Sequence, residues 1–452
     1  MPRDAMPASR RWEPRFLLAL VIVAIAAGGF AILFRGALSL VLKAVSGVTN
    51  VVDAMTAADW WWRLVFPMLG ALLAGTLSLL IAKRGGGGVS DVMEAVALGR
   101  GKLSLRVTVV KSVASWCAIV SGGSLGREGP LIQFGGAAGH AVGDRFGLDA
   151  EARRVLIAAG TAAGFAAAYN TPIAAVAFVL EIVTGIIVID TVVPTLVATV
   201  ISTVLTRAAV GAGPIYGTRA FVLHRNGELF AYAGVAVVAC LVAFGFTRLI
   251  TLTERGIKAS RIPAPWKQAL GGMGAGAIII ALPAVAGNGY EPLNHILDGT
   301  SAVTVVAWLL IAKAFATTSS VASGSPGGVF TPTLLIGGCA GYLFGAALQA
   351  ANLDVGPPGG YALVGMAAAT AAATHAPLMA AMLAFELSGD YAVVLPLVLA
   401  TAIATALART LGRDSIYMAE LRARGISWEL TMAGREMPVS DENTAPPRVP
   451  TR

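Results

Sequence analysis

Glu128 places a carboxylate in a segment rich in glycine, proline and apolar residues, with Arg127 its one other charged residue: Gly126-Arg-Glu-Gly-Pro130, followed by Gly135-Gly136. An acid inside an apolar run is costly, and such acids are functional by default. The chemistry open to it is proton binding, together with competition against anions for backbone N–H donors. The alternative is an acid paired with Arg127 or Lys111. The surrounding pattern recurs 202 residues later as Gly328-Val-Phe-Thr-Pro332, followed by Gly337-Gly338, without the acid. A second pair of segments repeats at an offset of 205. Ala166-Ala-Ala-Tyr-Asn-Thr-Pro172 returns as Ala371-Ala-Ala-Thr-His-Ala-Pro377, with Glu181 and Glu386 each nine residues past the proline. Self-similarity at a near-constant offset marks a duplication. Glu181 and Glu386 read first as helix-end acids in polar networks, and second as members of a proton relay.

The elements that must hold these residues are membrane helices. Of 452 residues, 56% are hydrophobic and only 13% charged, against about 25% charged in an average soluble domain. Charge-free runs cover Phe16–Phe34 (19 residues), Leu64–Ala82 (19), Val155–Leu180 (26), Gln268–Tyr290 (23) and Ala314–Leu353 (40). A bilayer core needs about 20 apolar residues per helix, so these runs predict an all-α polytopic membrane protein. An odd number of spans per copy makes the two repeats inverted, with broken helices meeting at a mid-membrane site. Irregular backbone at that depth survives only where it is buried or lines a cavity. Proline suits a helix's first turn. The Gly-x-x-x-Pro clusters therefore predict helix starts whose free N–H groups and positive dipole ends hold an anion without a full cation.

Gly126–Pro130 looks like the gating motif of the CLC family of chloride channels and chloride/proton antiporters. Ser323-Gly-Ser-Pro-Gly-Gly-Val-Phe-Thr-Pro332 resembles that family's second anion-site segment. Tyr417, in Ser-Ile-Tyr after the last long apolar run, resembles its central tyrosine, and Gly85–Gly88 with Val89 sits where its first selectivity segment lies. The resemblance runs from about Phe16 to Leu421. It implies that Glu128 is the external gate, opening as it takes a proton, and that Gly87, Gly88, Arg127, Gly129, Val329, Phe330 and Tyr417 bind the anion. Val329 and Phe330 would contribute backbone N–H groups, and Tyr417 a hydroxyl. Tyr417 also has a plainer reading as an interfacial anchor. The family's homodimer, with one pathway per subunit, is implied too, as are transported chloride or a similar anion and protons, with no cofactor.

Two departures bear on mechanism. Gly87 stands where the family usually carries a hydroxyl residue, and Ser90 falls where a proline is customary. Ile182, directly after Glu181, stands where antiporters commonly carry an internal proton-relay glutamate. Retention of Glu128 favours exchange over a passive channel, and Ile182 argues the other way.

The expected organisation is an N-terminal cytoplasmic segment (1–15), a membrane domain (16–417) and a short cytoplasmic tail (418–452). The repeats fall at about 16–206 and 229–417. Arg207–Glu228 is expected to be an external loop, and Lys258–Lys267 a second connector. Arg3, Arg10, Arg11 and Arg15 place the N-terminus in the cytosol, so the net charge of +8 reflects orientation in an inner membrane, not nucleic-acid binding. Phe16–Phe34 exceeds a signal-peptide core and is expected to be the first helix. Cys117, Cys240 and Cys339 lie in apolar stretches and read as buried hydrophobes. His140, His224, His295 and His375 show no metal-ligand spacing, and no Gly-Lys-Ser/Thr follows Gly85–Gly88, so an enzyme is disfavoured. An intramembrane protease is disfavoured with it. A cation carrier would show acids dominating the duplicated segments; helix starts dominate them instead.

Overall fold

Within lipid every backbone N–H and C=O must be satisfied inside its own segment, so long apolar runs become helices. The computed structural model describes residues 13–81, 88–97, 99, 103–186, 189–211, 213, 215–217, 219, 221, 225, 227–412, 414–426, 429–431 and 434–436. The first half holds α1 (Pro14–Ser46), α2 (Val51–Ala57), α3 (Trp60–Leu79), α4 (Val89–Ala97), α5 (Leu105–Val120), α6 (Glu128–Arg145), α7 (Ala150–Tyr169), α8 (Pro172–Phe178) and α9 (Ile189–Val210). A π-helical turn at Val179–Thr184 extends α8 and carries Glu181. The second half holds α10 (Glu228–Ala259), α11 (Ala264–Ala281), α12 (Tyr290–Leu297), α13 (Val303–Ala322), α14 (Phe330–Ala350), α15 (Pro358–Thr374), α16 (Pro377–Ser388) and α17 (Val394–Thr410). A last helix, α18 (Ile416–Ala423), carries Tyr417. The boundary expected at 417 thus falls inside a helix. Glu429–Thr431 and Gly434–Glu436 form a short antiparallel ladder. Among those residues, six segments are long and apolar enough to cross a membrane: α1 continued through α2, α3, α9, α10, α13 and α14.

The halves are inverted-topology repeats, with α6–α9 matched in order by α14–α17. In the first, α6 packs on α7 through Gly135 and Gly160; a Cβ on either would stand 2.0 or 2.2 Å from the other's carbonyl oxygen. In the second, α14 packs on α15 through Gly337 and Gly365, with both equivalent distances 2.6 Å. Small residues at these points let backbones approach as membrane helices require. Both α7 and α15 end on a non-glycine residue in the left-handed region, Asn170 (φ 58°) and His375 (φ 60°). The next helix in each half begins with a proline at its first turn.

Reciprocal capping joins the halves. The Glu386 carboxylate accepts the N–H groups of Ile173 (3.0 Å) and Ala174 (2.7 Å) at the start of α8. The Glu181 carboxylate accepts those of Leu378 (3.0 Å) and Met379 (2.7 Å) at the start of α16. Each repeat thus satisfies orphan donors of the other, an arrangement that a pseudo-two-fold axis produces. Each acid stands at its own helix's end and holds the opposite repeat's helix start.

Candidate functional site

The two broken-helix starts meet at a seam. Gly126 N–H donates to the Gly328 carbonyl and Gly328 N–H to that of Gly126, both at 2.8 Å, an isolated antiparallel bridge between segments 202 residues apart. Only glycine fits beside it without displacement. A Cβ on Gly126 would lie 2.2 Å, and one on Gly328 2.1 Å, from Oε1 of Glu128.

Glu128 is the first residue of α6, 3% exposed, yet its carboxylate serves the other repeat. Oε1 accepts the N–H of Phe330 (3.1 Å) and of Thr331 (3.3 Å), while Oε2 accepts the Thr331 hydroxyl (2.9 Å). The N-terminus of α14, an anion site by its dipole and free donors, is thus filled by the protein's own acid. The donors are Phe330 and Thr331; Val329, expected alongside Phe330, is the N-cap residue. Lys111, a candidate partner for Glu128, instead lies in the field of Asp91, Glu420 and Arg424. The Arg127 guanidinium stacks over the Tyr290 ring, 5.0 Å from its centroid. Space for a Cβ is open beside Gly129.

Around this point the walls are aromatic. Phe330 meets Phe165 edge-on (5.8 Å) and Tyr169 (5.7 Å), and the Tyr169 hydroxyl lies 3.0 Å from that of Thr331. Tyr417, 9% exposed, meets Phe178 edge-on at 6.3 Å. Gly88 reaches the same region near Glu420, whereas Gly87 lies outside the described residues. Ser90, the nearest hydroxyl to the missing one at Gly87, donates to the Glu420 carboxylate at 2.7 Å. Ile182 is buried to 2% exposure and adds no titratable group.

Three contributors were not singled out by sequence reasoning. Thr331 gives two of the three hydrogen bonds to Glu128, and Tyr169 braces its hydroxyl. Lys313 is fully buried in α13, its Nζ donating to the carbonyls of Val285 (2.9 Å) and Gly287 (2.8 Å). The signal for Lys313 was present, since it follows Lys111 by the same 202 residues that separate the glycine–proline clusters. Among the described residues no cluster of histidine, cysteine or acids is arranged to hold a metal.

The arrangement can exchange one negative group for another. An anion reaching the α14 start must displace the Glu128 carboxylate, and protonation of that carboxylate weakens its hold on the same donors.

Residues 70–409 match the family described as voltage gated chloride channel. A ClcB-like protein of Ralstonia nicotianae is 38% identical over 328 residues, 71% of this chain and 76% of its own length. The voltage-gated ClC-type chloride channel ClcB of Escherichia coli is 33% identical over 343 residues, 74% of this chain and 81% of its own. A slow cyanobacterial Cl–/H+ antiporter shares the fold with a TM-score of 0.79 at 24% identity, covering 91% of this chain and 98% of that one. A CLC-type fluoride/proton antiporter does so with a TM-score of 0.73 at 21% identity, covering 89% and 96%.

Proposed function

Because this chain belongs to the voltage-gated chloride channel family, we propose that it carries chloride or a similar small anion across the membrane in exchange for protons, with Glu128 as the external gate. The observation that carries the reading is the Glu128 carboxylate seated on the N–H groups of Phe330 and Thr331. Anion and carboxylate need the same donors, so only one occupies them at a time. A proton arriving at Glu128 neutralises the carboxylate, lets it leave and admits the anion; loss of that proton returns the carboxylate and expels the anion. Binding through dipoles and N–H groups keeps the anion releasable.

Gly88, Gly129, Val329 and Tyr417 line the remainder of the path in this reading, with Arg127 braced beside it. The transport unit spans about 16–417, in repeats of about 16–206 and 229–417, in the inner membrane with both termini cytoplasmic. Two copies associate as a homodimer.

A passive anion channel is the second reading, favoured by Ile182 in place of an inner acid. Reconstitution into liposomes with a chloride gradient, recording external pH, separates the two. Exchange predicts proton movement driven by chloride and chloride movement driven by protons. Anion flux that moves no protons under any gradient would sink it.

A further inference from the structure

Exchange requires that protons reach Glu128 from the side opposite the gate, and Ile182 offers them no stop. We propose that Glu420 is the proton-accepting acid on the Tyr417 side of the anion path, an inference that rests on the exchange reading above. Tyr417 and Glu420 lie three residues apart on α18, hence on one face of the helix. The Tyr417 phenol lies within electrostatic reach of both Glu128 and Glu420. A Cβ on Gly88 would lie 4.0 Å from each Glu420 carboxylate oxygen, which puts the acid beside the head of α4.

Solvent and a shared hydrogen-bond network both reach the Glu420 carboxylate. The Glu420 side chain is 43% exposed, so water reaches it. Ser90, fully buried, donates to the carboxylate at 2.7 Å; a hydroxyl serves either state, donating to a carboxylate and accepting from a carboxylic acid. The Arg424 guanidinium bonds both Glu420 and Asp91. When Glu420 is protonated, Arg424 keeps Asp91, and no cation is stranded. Lys111 faces the same group from α5. The charged set facing Glu420 is therefore Asp91, Lys111 and Arg424, with the Tyr417 phenol beside it.

The competing acid is Glu181, whose two oxygens are already bound by the N–H groups of Leu378 and Met379. Both bonds make it the cap of α16, so a proton taken up there would strand N–H donors at the start of that helix. In the proposed step a hydronium ion gives its proton to a Glu420 oxygen and leaves as water. The proton then passes along the Tyr417 side to the Glu128 carboxylate, and Glu420 returns to its ionised state.

The test is paired chloride and proton flux in liposomes for wild type, Glu420→Gln and Glu420→Asp. The glutamine still accepts from Ser90 but cannot titrate. Its proton flux per anion is expected to fall about tenfold or more, with anion flux retained, whereas Glu420→Asp keeps exchange. Exchange at the wild-type ratio in Glu420→Gln overturns the assignment alone, and so does loss of anion flux in both variants, which marks a structural role. Wild-type protein that moves no protons overturns the exchange reading and this assignment together.

Discussion

The starts of α6 and α14 descend from one duplicated segment and now do opposite jobs. Both follow a glycine that joins the central bridge, and both carry a proline in the first turn. The α6 start carries an acid in that turn, and the α14 start carries none. The acid of the first fills the donors of the second. In the proposed reading, loss or gain of a single carboxylate turns two equal helix starts into an anion cradle and its plug. The reciprocal caps at Glu181 and Glu386 show the contrary outcome, a pair that has stayed equivalent, with matching bond lengths on both sides.

The largest way to break this contrast is Glu128→Gln. It removes the plug's charge and its proton, so proton movement should vanish from paired flux records while chloride flux persists. Unchanged coupling would remove Glu128 from the gate. Next is Gly328→Ala, whose Cβ would collide with Oε1 of Glu128 at 2.1 Å. The backbone there tolerates alanine and the carboxylate is the movable party, so the plug is pushed off the α14 start. Chloride flux should rise and its pH dependence should flatten; a wild-type pH profile would show that the carboxylate is not seated as described. Thr331→Val deletes one hydroxyl donor to the ionised acid, an interaction of about 1.5–3 kcal/mol. It should favour the unseated plug by about tenfold to a hundredfold, read as a matching shift in the chloride concentration needed for half-maximal flux.

The smallest expected effect lies in the symmetric pair. Glu181→Gln and Glu386→Gln should each destabilise the folded protein by about 1–2 kcal/mol, the range of a lost helix cap, measured as equal shifts in thermal unfolding. Unequal shifts, or loss of proton coupling in Glu181→Gln alone, would show that the caps are not equivalent and would return Glu181 to a relay role.

Much of the site was legible because it is written in spacing. The Gly-x-x-x-Pro repeat located both helix starts, and the isolation of Glu128 among apolar residues identified the acid. What escaped depended on contacts across the repeats. Thr331 reads as an ordinary residue beside a proline until Glu128 is seen to reach over the seam. Glu181 and Glu386 read as helix-end acids, but nothing in their spacing says that each caps a helix of the opposite half. Ser90 stands where a proline is customary, and nothing in the sequence says that its hydroxyl is committed to Glu420, 330 residues away. Lys313 is the instructive omission, since the offset that exposed the glycines applies to it as well.

The central claim is competition between the Glu128 carboxylate and the anion for the N–H groups of Phe330 and Thr331. Chloride binding to purified protein, titrated calorimetrically across a range of pH for wild type and Glu128→Gln, tests it most directly. The account predicts that wild-type affinity tightens as the pH falls and Glu128 is neutralised, while Glu128→Gln binds tightly at every pH. Wild-type affinity that ignores pH, with Glu128→Gln no tighter at neutral pH, would contradict it.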